Sequence, residues 1–265
     1  MCCRRTARKG TVMGKRIGLI DEIRGFTYIA MIIYHAYYDI VFVYGHALPD
    51  IVNTVMRFIQ PLIAGTFIVI AGISSNFSSN NFKRGTLYFF CGMLLTFATA
   101  VAMPSELIVF GILHFMGFAA MIYGFIGKFT ERIPSIIGIV LFSLLFAATL
   151  NVPLGYIGIN GLFSAPLPSF LYGHYWLFPL GFTSSAFYSS DYFPLIPNLF
   201  LFLAGASLGV YLKSGRAPKG IYPNRFKAMS FIGRHGIWIY LLHQPVIILV
   251  LDIIFKLTGQ GTVFL

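Results

Sequence analysis

The sequence predicts an all-α fold, a polytopic transmembrane helix bundle of about seven spans with the N-terminus inside and the C-terminus outside. Three observations predict it: a composition too poor in charge for water, a series of apolar runs of membrane-crossing length, and a one-sided distribution of Lys and Arg. Of the 265 residues, 57% are apolar and 10% are charged, whereas a soluble domain carries roughly 25% charged residues. The mean hydropathy of +0.80 points the same way.

The apolar runs fall near 25–44, 56–75, 85–103, 107–126, 134–152, 193–212 and 237–256. Each is close to the roughly 20 residues that a helix needs to cross ~30 Å of hydrocarbon. Between the fifth and sixth lies a stretch, 153–192, rich in Gly, Ser and aromatics and broken by Pro153, Pro166, Pro168 and Pro179. It reads as an outer or partly re-entrant cap and not as an eighth span. Residues 1–16 form a basic cytoplasmic tail, 17–258 a single membrane domain, and 259–265 a short tail. The first apolar run is too long, and its basic lead too extended, for a cleavable signal peptide.

Positive charge orients the bundle, because cytoplasmic loops hold the excess of Lys and Arg. With the N-terminus inside, all of the 19 Lys and Arg residues except Arg57 and Lys256 fall on the inner side. The 153–192 stretch contains neither. An extra span there would move the basic group 213–234 outside, so an odd count is preferred. The same distribution accounts for the net charge of +11 without nucleic-acid binding, for which no soluble basic domain exists. Cys2, Cys3 and Cys91 form neither a disulfide framework nor a metal spacing. No phosphate-binding glycine loop, zinc-binding helix or nucleophile-elbow serine motif occurs.

Ionisable side chains inside spans are costly and mark functional sites. The first span carries Asp21 and Arg24 at its inner entrance. His35 follows eleven residues after Arg24, ~16 Å of helical rise, near mid-membrane. Asp39, four residues on, shares its face and is placed to orient the imidazole as an acid does in a hydrolase triad. His46 and Asp50 lie at the outer end. His114, eight residues from Glu106, and His243, nine from Arg234 and followed by Gln244 and Pro245, reach the same layer by rise alone. They converge with His35 if their helices face one interior. Taken singly, His114 or His243 is also readable as an interhelical strut. His174 reads as a belt residue and His235 as a headgroup residue; Gly205 and Gly209 read as close-packing positions.

The stretch Ile20-Asp21-Glu22-Ile23-Arg24-Gly25, with Tyr34-His35 and Asp39 downstream, resembles the heparan-α-glucosaminide N-acetyltransferase catalytic-domain family. The resemblance continues through Ala71-Gly72-Ile73-Ser74, Phe110-Gly111-Ile112-Leu113-His114, Asp191-Tyr192-Phe193-Pro194 and Phe231-Ile232-Gly233-Arg234-His235. It ends in Tyr240-Leu241-Leu242-His243-Gln244-Pro245 and covers about residues 16 to 250. It implies a multi-pass acetyltransferase of the cell (inner) membrane with acetyl-CoA or another acyl-CoA as donor substrate and no metal.

By that resemblance the acceptor is a hydroxyl or amine of an extracytoplasmic or lipid-linked glycan, such as an amino sugar. Matching Arg24-Gly25 to the lysosomal member places the active histidine on His46. The wider membrane acyltransferases, with Arg, ten residues, then His, place it on His35. His35 ranks first because Asp39 accompanies it, and His46 stays open. Asp21, Arg24, His114, Asp191, His243 and Gln244 are then substrate-binding candidates. The partners are the lipid bilayer, acyl-CoA and the acceptor; a homodimer stays open. A small proton-coupled secondary transporter or flippase is the alternative, weakened by the absence of clear internal repeats, and a purely structural subunit is third.

Overall fold

The computed structural model describes residues 17–159, 161–215, 217–259, 261 and 263. The basic tail 1–16, with Cys2 and Cys3, and Arg216 lie outside the described residues. Eight helices follow in order: α1 (Gly18–Tyr38), continued by a π-helical turn Asp39–Val43, α2 (Asp50–Ser75), α3 (Asn81–Ala102), α4 (Ile112–Thr130), α5 (Ser135–Thr149), α6 (Leu195–Lys213), α7 (Lys227–Arg234) and α8 (Gly236–Leu257). All but α7 belong to the seven segments long and apolar enough to cross a membrane. The 153–192 stretch supplies no such helix. It holds three short 3-10 turns and an antiparallel hairpin of β1 (Tyr156–Ile159) and β2 (Phe163–Pro166), with Ile159 opposite Phe163.

The helices alternate in direction. The N-terminus of α1, the α2–α3 and α4–α5 turns and the α6–α7–α8 connection therefore share one end of the bundle. Most basic loop residues lie at this end. The far end holds the α1–α2 and α3–α4 links, the 153–192 stretch and the end of α8. Exposed apolar side chains such as Phe90, Phe97 and Ile136 are what a helix surface solvated by lipid presents.

Close helix crossings rest on glycine. Gly72 of α2 lies against the Phe202 carbonyl of α6, and Gly205 of α6 against the Val69 carbonyl of α2; a Cβ would sit 2.1 and 2.3 Å from those oxygens. Gly209 meets Ile73 and Asn76 in the same seam. With little hydrophobic drive between helices in lipid, backbone approach and interhelical hydrogen bonds hold such a seam. Buried Asn76 supplies both: its amide donates to the Ala206 carbonyl at 2.8 Å and accepts from the Tyr123 hydroxyl at 3.0 Å, tying α2, α4 and α6. Phe115, Phe202 and Ile68 are fully buried in the apolar core.

Several boundaries differ from the hydropathy reading: α2 starts at Asp50 rather than at 56 and α3 at Asn81 rather than at 85, and the starts of α1 and α4 also move. Helix α1 starts at Gly18 rather than at 25 because its charged entrance is internally satisfied. Buried Glu22 accepts from the backbone N–H groups of Arg225 and Phe226, the latter at 2.9 Å. This carboxylate from a neighbouring helix therefore caps α7, whose start needs acceptors for its free N–H groups. Gly25 and Gly233 let α1 and α7 cross backbone to backbone. Helix α4 starts at Ile112 rather than at 107. A 3-10 turn at Pro104–Glu106 and Phe110, at φ 59°, bend the chain before it.

Candidate active site

A cavity of about 190 Å³ opens between α1, α2, α3 and α8 and reaches the far-end residues Glu106, Ser190 and Asp191. Its apolar wall includes Met31, Ile63, Phe67, Leu95 and Ile112. Its polar groups include His35, Asp39, His243 and Gln244 together with Tyr34, Tyr38 and Tyr240.

The two histidines meet. The rings of His35 and His243 have their centroids 4.8 Å apart at an interplanar angle of 59°. Nδ1 of His243 lies 2.6 Å from the Tyr240 carbonyl. Its Nε2 is buried, and no described group bonds to it. Among the described residues none hydrogen-bonds the ring nitrogens of His35, and that ring faces the cavity.

Asp39 does not form the expected hydrogen bond with His35 among the described residues. Its carboxylate is fully buried and receives the Gln244 amide at 2.8 Å on one oxygen and 2.9 Å on the other. The amide orientation follows from the partner, since a carboxylate only accepts and the NH₂ must face it. Gln244 Oε1 therefore points away from Asp39, buried and without a donor among the described residues. At the far end the Tyr38 hydroxyl donates to Glu106 at 3.1 Å.

Asp191 is held at the entry to α4. Residues 189–193 run along the entry to α4: Ser189 Oγ accepts from Val109 N–H, and the Ser190 and Phe193 N–H groups donate to the Leu107 and Phe110 carbonyls. That places Asp191 Oδ2 3.1 Å from the backbone nitrogen of Ile112, the first residue of α4. A carboxylate suits a helix N-terminus. Burial nevertheless pushes its pKa up to about 6, with the Ile112 N–H bond working in the opposite direction.

The other expected residues lie elsewhere. His46 is outside the cavity lining, its ring 4.6 Å from that of Phe255 on α8. His114 is buried, with its ring against Gly92 of α3 and between Phe89 and Phe110. His35 and His243 thus meet at the depth that helical rise gives them, while the rotation of α4 turns His114 toward α3. His174 and His235 are exposed.

At the opposite end, Arg24 bonds Asp21 at 3.1 Å, Ser74 Oγ at 2.8 Å and the Gly233 carbonyl. Arg84, which the sequence reading used only as a loop charge, comes in from α3 to bond Ser75 Oγ. Ser74 and Ser75 are adjacent, so the two guanidinium groups come to the same end of α2, and Arg84 Nε is buried without a partner among the described residues. Converging arginines with spare donors suit a phosphate-bearing ligand. Among the described residues no group of three or more His, Cys, Asp or Glu could hold a metal ion.

Glu106, Tyr34, Tyr38, Tyr240 and Arg84 are the site-lining or flanking groups that sequence reasoning missed. Glu106 had a signal, since a lone acidic residue stood at the outer edge of a span. The tyrosines had none in so aromatic a chain.

The family model described as heparan-alpha-glucosaminide N-acetyltransferase, catalytic, matches residues 16–245. No curated protein and no solved structure matches the chain.

Proposed function

Since the chain belongs to the heparan-alpha-glucosaminide N-acetyltransferase catalytic family, we propose that it moves an acetyl group from acetyl-CoA to an amine or hydroxyl of a glycan or lipid-linked sugar. The observation that carries this reading is His35, its ring nitrogens unengaged by any described residue, facing a cavity shared with His243, Asp39, Glu106 and Asp191. Acetyl-CoA approaches from the arginine end, taken as cytoplasmic from the Lys and Arg distribution. There Arg24 and Arg84 hold its phosphates, and the pantetheine arm runs along α1 toward His35, ~16 Å of helical rise away. The acceptor enters from the Glu106 and Asp191 end.

The chemistry needs one base. His35 takes the proton of the acceptor N–H or O–H as that atom attacks the thioester carbonyl carbon. The new C–N or C–O bond forms, the C–S bond breaks, and the proton passes from His35 to sulfur, so CoA leaves as the thiol. An acetyl-histidine formed first on His35 gives the same overall balance in two steps. The site is rich in hydrogen-bond acceptors, Glu106 and Asp191 among them, and none of the residues lining it is Lys or Arg. That favours a donor-bearing acceptor such as an amino sugar. The place of His35 in the cavity lining supports it over His46 as the base, and the reading sets the reaction in the cell membrane.

Purified protein in lipid nanodiscs, given radiolabelled acetyl-CoA and amine- or hydroxyl-bearing sugars, should transfer label. His35→Ala should abolish transfer and His46→Ala should retain it. Absence of transfer and of CoA binding, with envelope glycan acetylation unchanged on deletion of the protein, would overturn the proposal.

A further inference from the structure

Resting on the base assigned to His35 above, we infer that its orienting partner is the second histidine, His243, and not a carboxylate. The usual partner of such a base is an acid that fixes its tautomer and direction. The acid on the same helical face, Asp39, is already occupied by Gln244 through both oxygens. What stands against His35 is the His243 ring, at 4.8 Å between centroids.

The state of that ring follows from its surroundings. Nδ1 of His243 faces a backbone carbonyl at 2.6 Å, and a carbonyl only accepts, so Nδ1 carries the hydrogen. In the neutral ring Nε2 then holds a lone pair. That nitrogen is sealed from the cavity and no described protein group donates to it. A buried acceptor without a donor is costly, and the one ring beside it able to supply an N–H is His35. An N–H···N bond of about 2.9 Å between two imidazoles sets their centroids about 5 Å apart, so the observed separation allows it with a small turn of His35.

His243 is thus a positioning residue. Its Nε2 accepts the N–H of His35, which leaves the other nitrogen of His35 with its lone pair toward the cavity. Tyr240 fixes His243 through its carbonyl, and His243 in turn fixes His35. A neutral ring in this place orients the base without adding a buried charge, as a carboxylate would.

The test uses two readouts on full-length protein in nanodiscs. In ¹⁵N-histidine NMR, assigned by single substitutions, wild-type His243 should appear as the Nδ1–H tautomer and His35 as a single tautomer. His243→Phe, which keeps a ring of similar shape without the acceptor, should turn His35 into a mixture of tautomers. It should lower kcat for acetyl transfer by about 10²-fold or more while leaving the KM for acetyl-CoA within a few-fold. His243→Gln, whose carbonyl can accept from His35, should restore kcat to within about 10-fold of wild type. An Nε2–H tautomer at His243, or an unchanged His35 spectrum in His243→Phe, overturns the inference. So does a His243→Gln enzyme as slow as His243→Phe. If wild type shows no transfer at all but the tautomer changes as described, the acetyltransferase reading fails and the His35–His243 pairing stands.

Discussion

Gln244 on α8 offers a single amide nitrogen to both carboxylate oxygens of Asp39, at 2.8 and 2.9 Å, joining positions 205 residues apart. Asp39 has no exposed surface, so the amide is its visible compensation. Gln244→Leu should leave the carboxylate buried without that donor and cost ~1–3 kcal/mol, seen as a lower midpoint of thermal unfolding in detergent. Changing both residues to Leu should recover most of the loss. A single variant that melts with wild type would show that the pair does not hold α1 to α8.

Glu22 caps a helix to which it does not belong. Removing it in Glu22→Ala should cost ~0.5–2 kcal/mol, the range of a lost N-cap. The loss should appear first as faster amide exchange across Lys227–Arg234, with the spans unaffected. Equal exchange in both proteins would mean that packing by Gly25 and Gly233 suffices to hold α7.

Asp191 supplies a pH signature. Its pKa is raised from 3.8 to about 6, so the fold favours the protonated form. That contribution to stability is fully present below pH ~4 and is lost as pH rises through ~6. Asp191→Asn does not titrate there. The thermal midpoint of wild type should therefore fall relative to the Asn variant between pH 4 and 6, then run parallel to it above. A constant difference across that window would place the carboxyl at its ordinary pKa.

Arg84 separates donor binding from chemistry. Arg84→Gln should raise the KM for acetyl-CoA by about 10-fold, the weight of one charge-assisted phosphate contact, with kcat little changed. His35→Ala should do the reverse. A kcat loss without a KM change in Arg84→Gln would take the phosphates away from this end.

Hydropathy revealed the seven spans because lipid demands a long unbroken apolar run, and nothing else in the chain imitates one. It mistook the start of α1, where Asp21, Glu22 and Arg24 look like a loop. Their partners, Ser74, Gly233 and the N–H groups of Arg225 and Phe226, are distant in sequence. Helix α7 escaped notice for the same reason: its charges read as loop, and its cap comes from another helix. Depth along a helix is legible from residue counting, so His35 and His243 could be set in one layer. Rotation is not, and His114 therefore reached that layer facing Gly92 of α3 instead of the cavity.

The π turn at Asp39–Val43 carries a consequence for tracing homology. Its bond from Tyr44 N–H to the Asp39 carbonyl, at 2.9 Å, takes one more residue into the turn than an α-helix would. The helix ends with this turn, so from Gly45 to Pro49, His46 included, side chains follow no helical phase. Counting a fixed number of positions from Arg24 thus finds the right wall of the bundle as far as His35 but not as far as His46. Two chains of equal length that differ only in whether the helix ends here in a π or an α turn would align without a gap and still present different side chains to the same reaction. Position in a motif and position in space part company at Asp39.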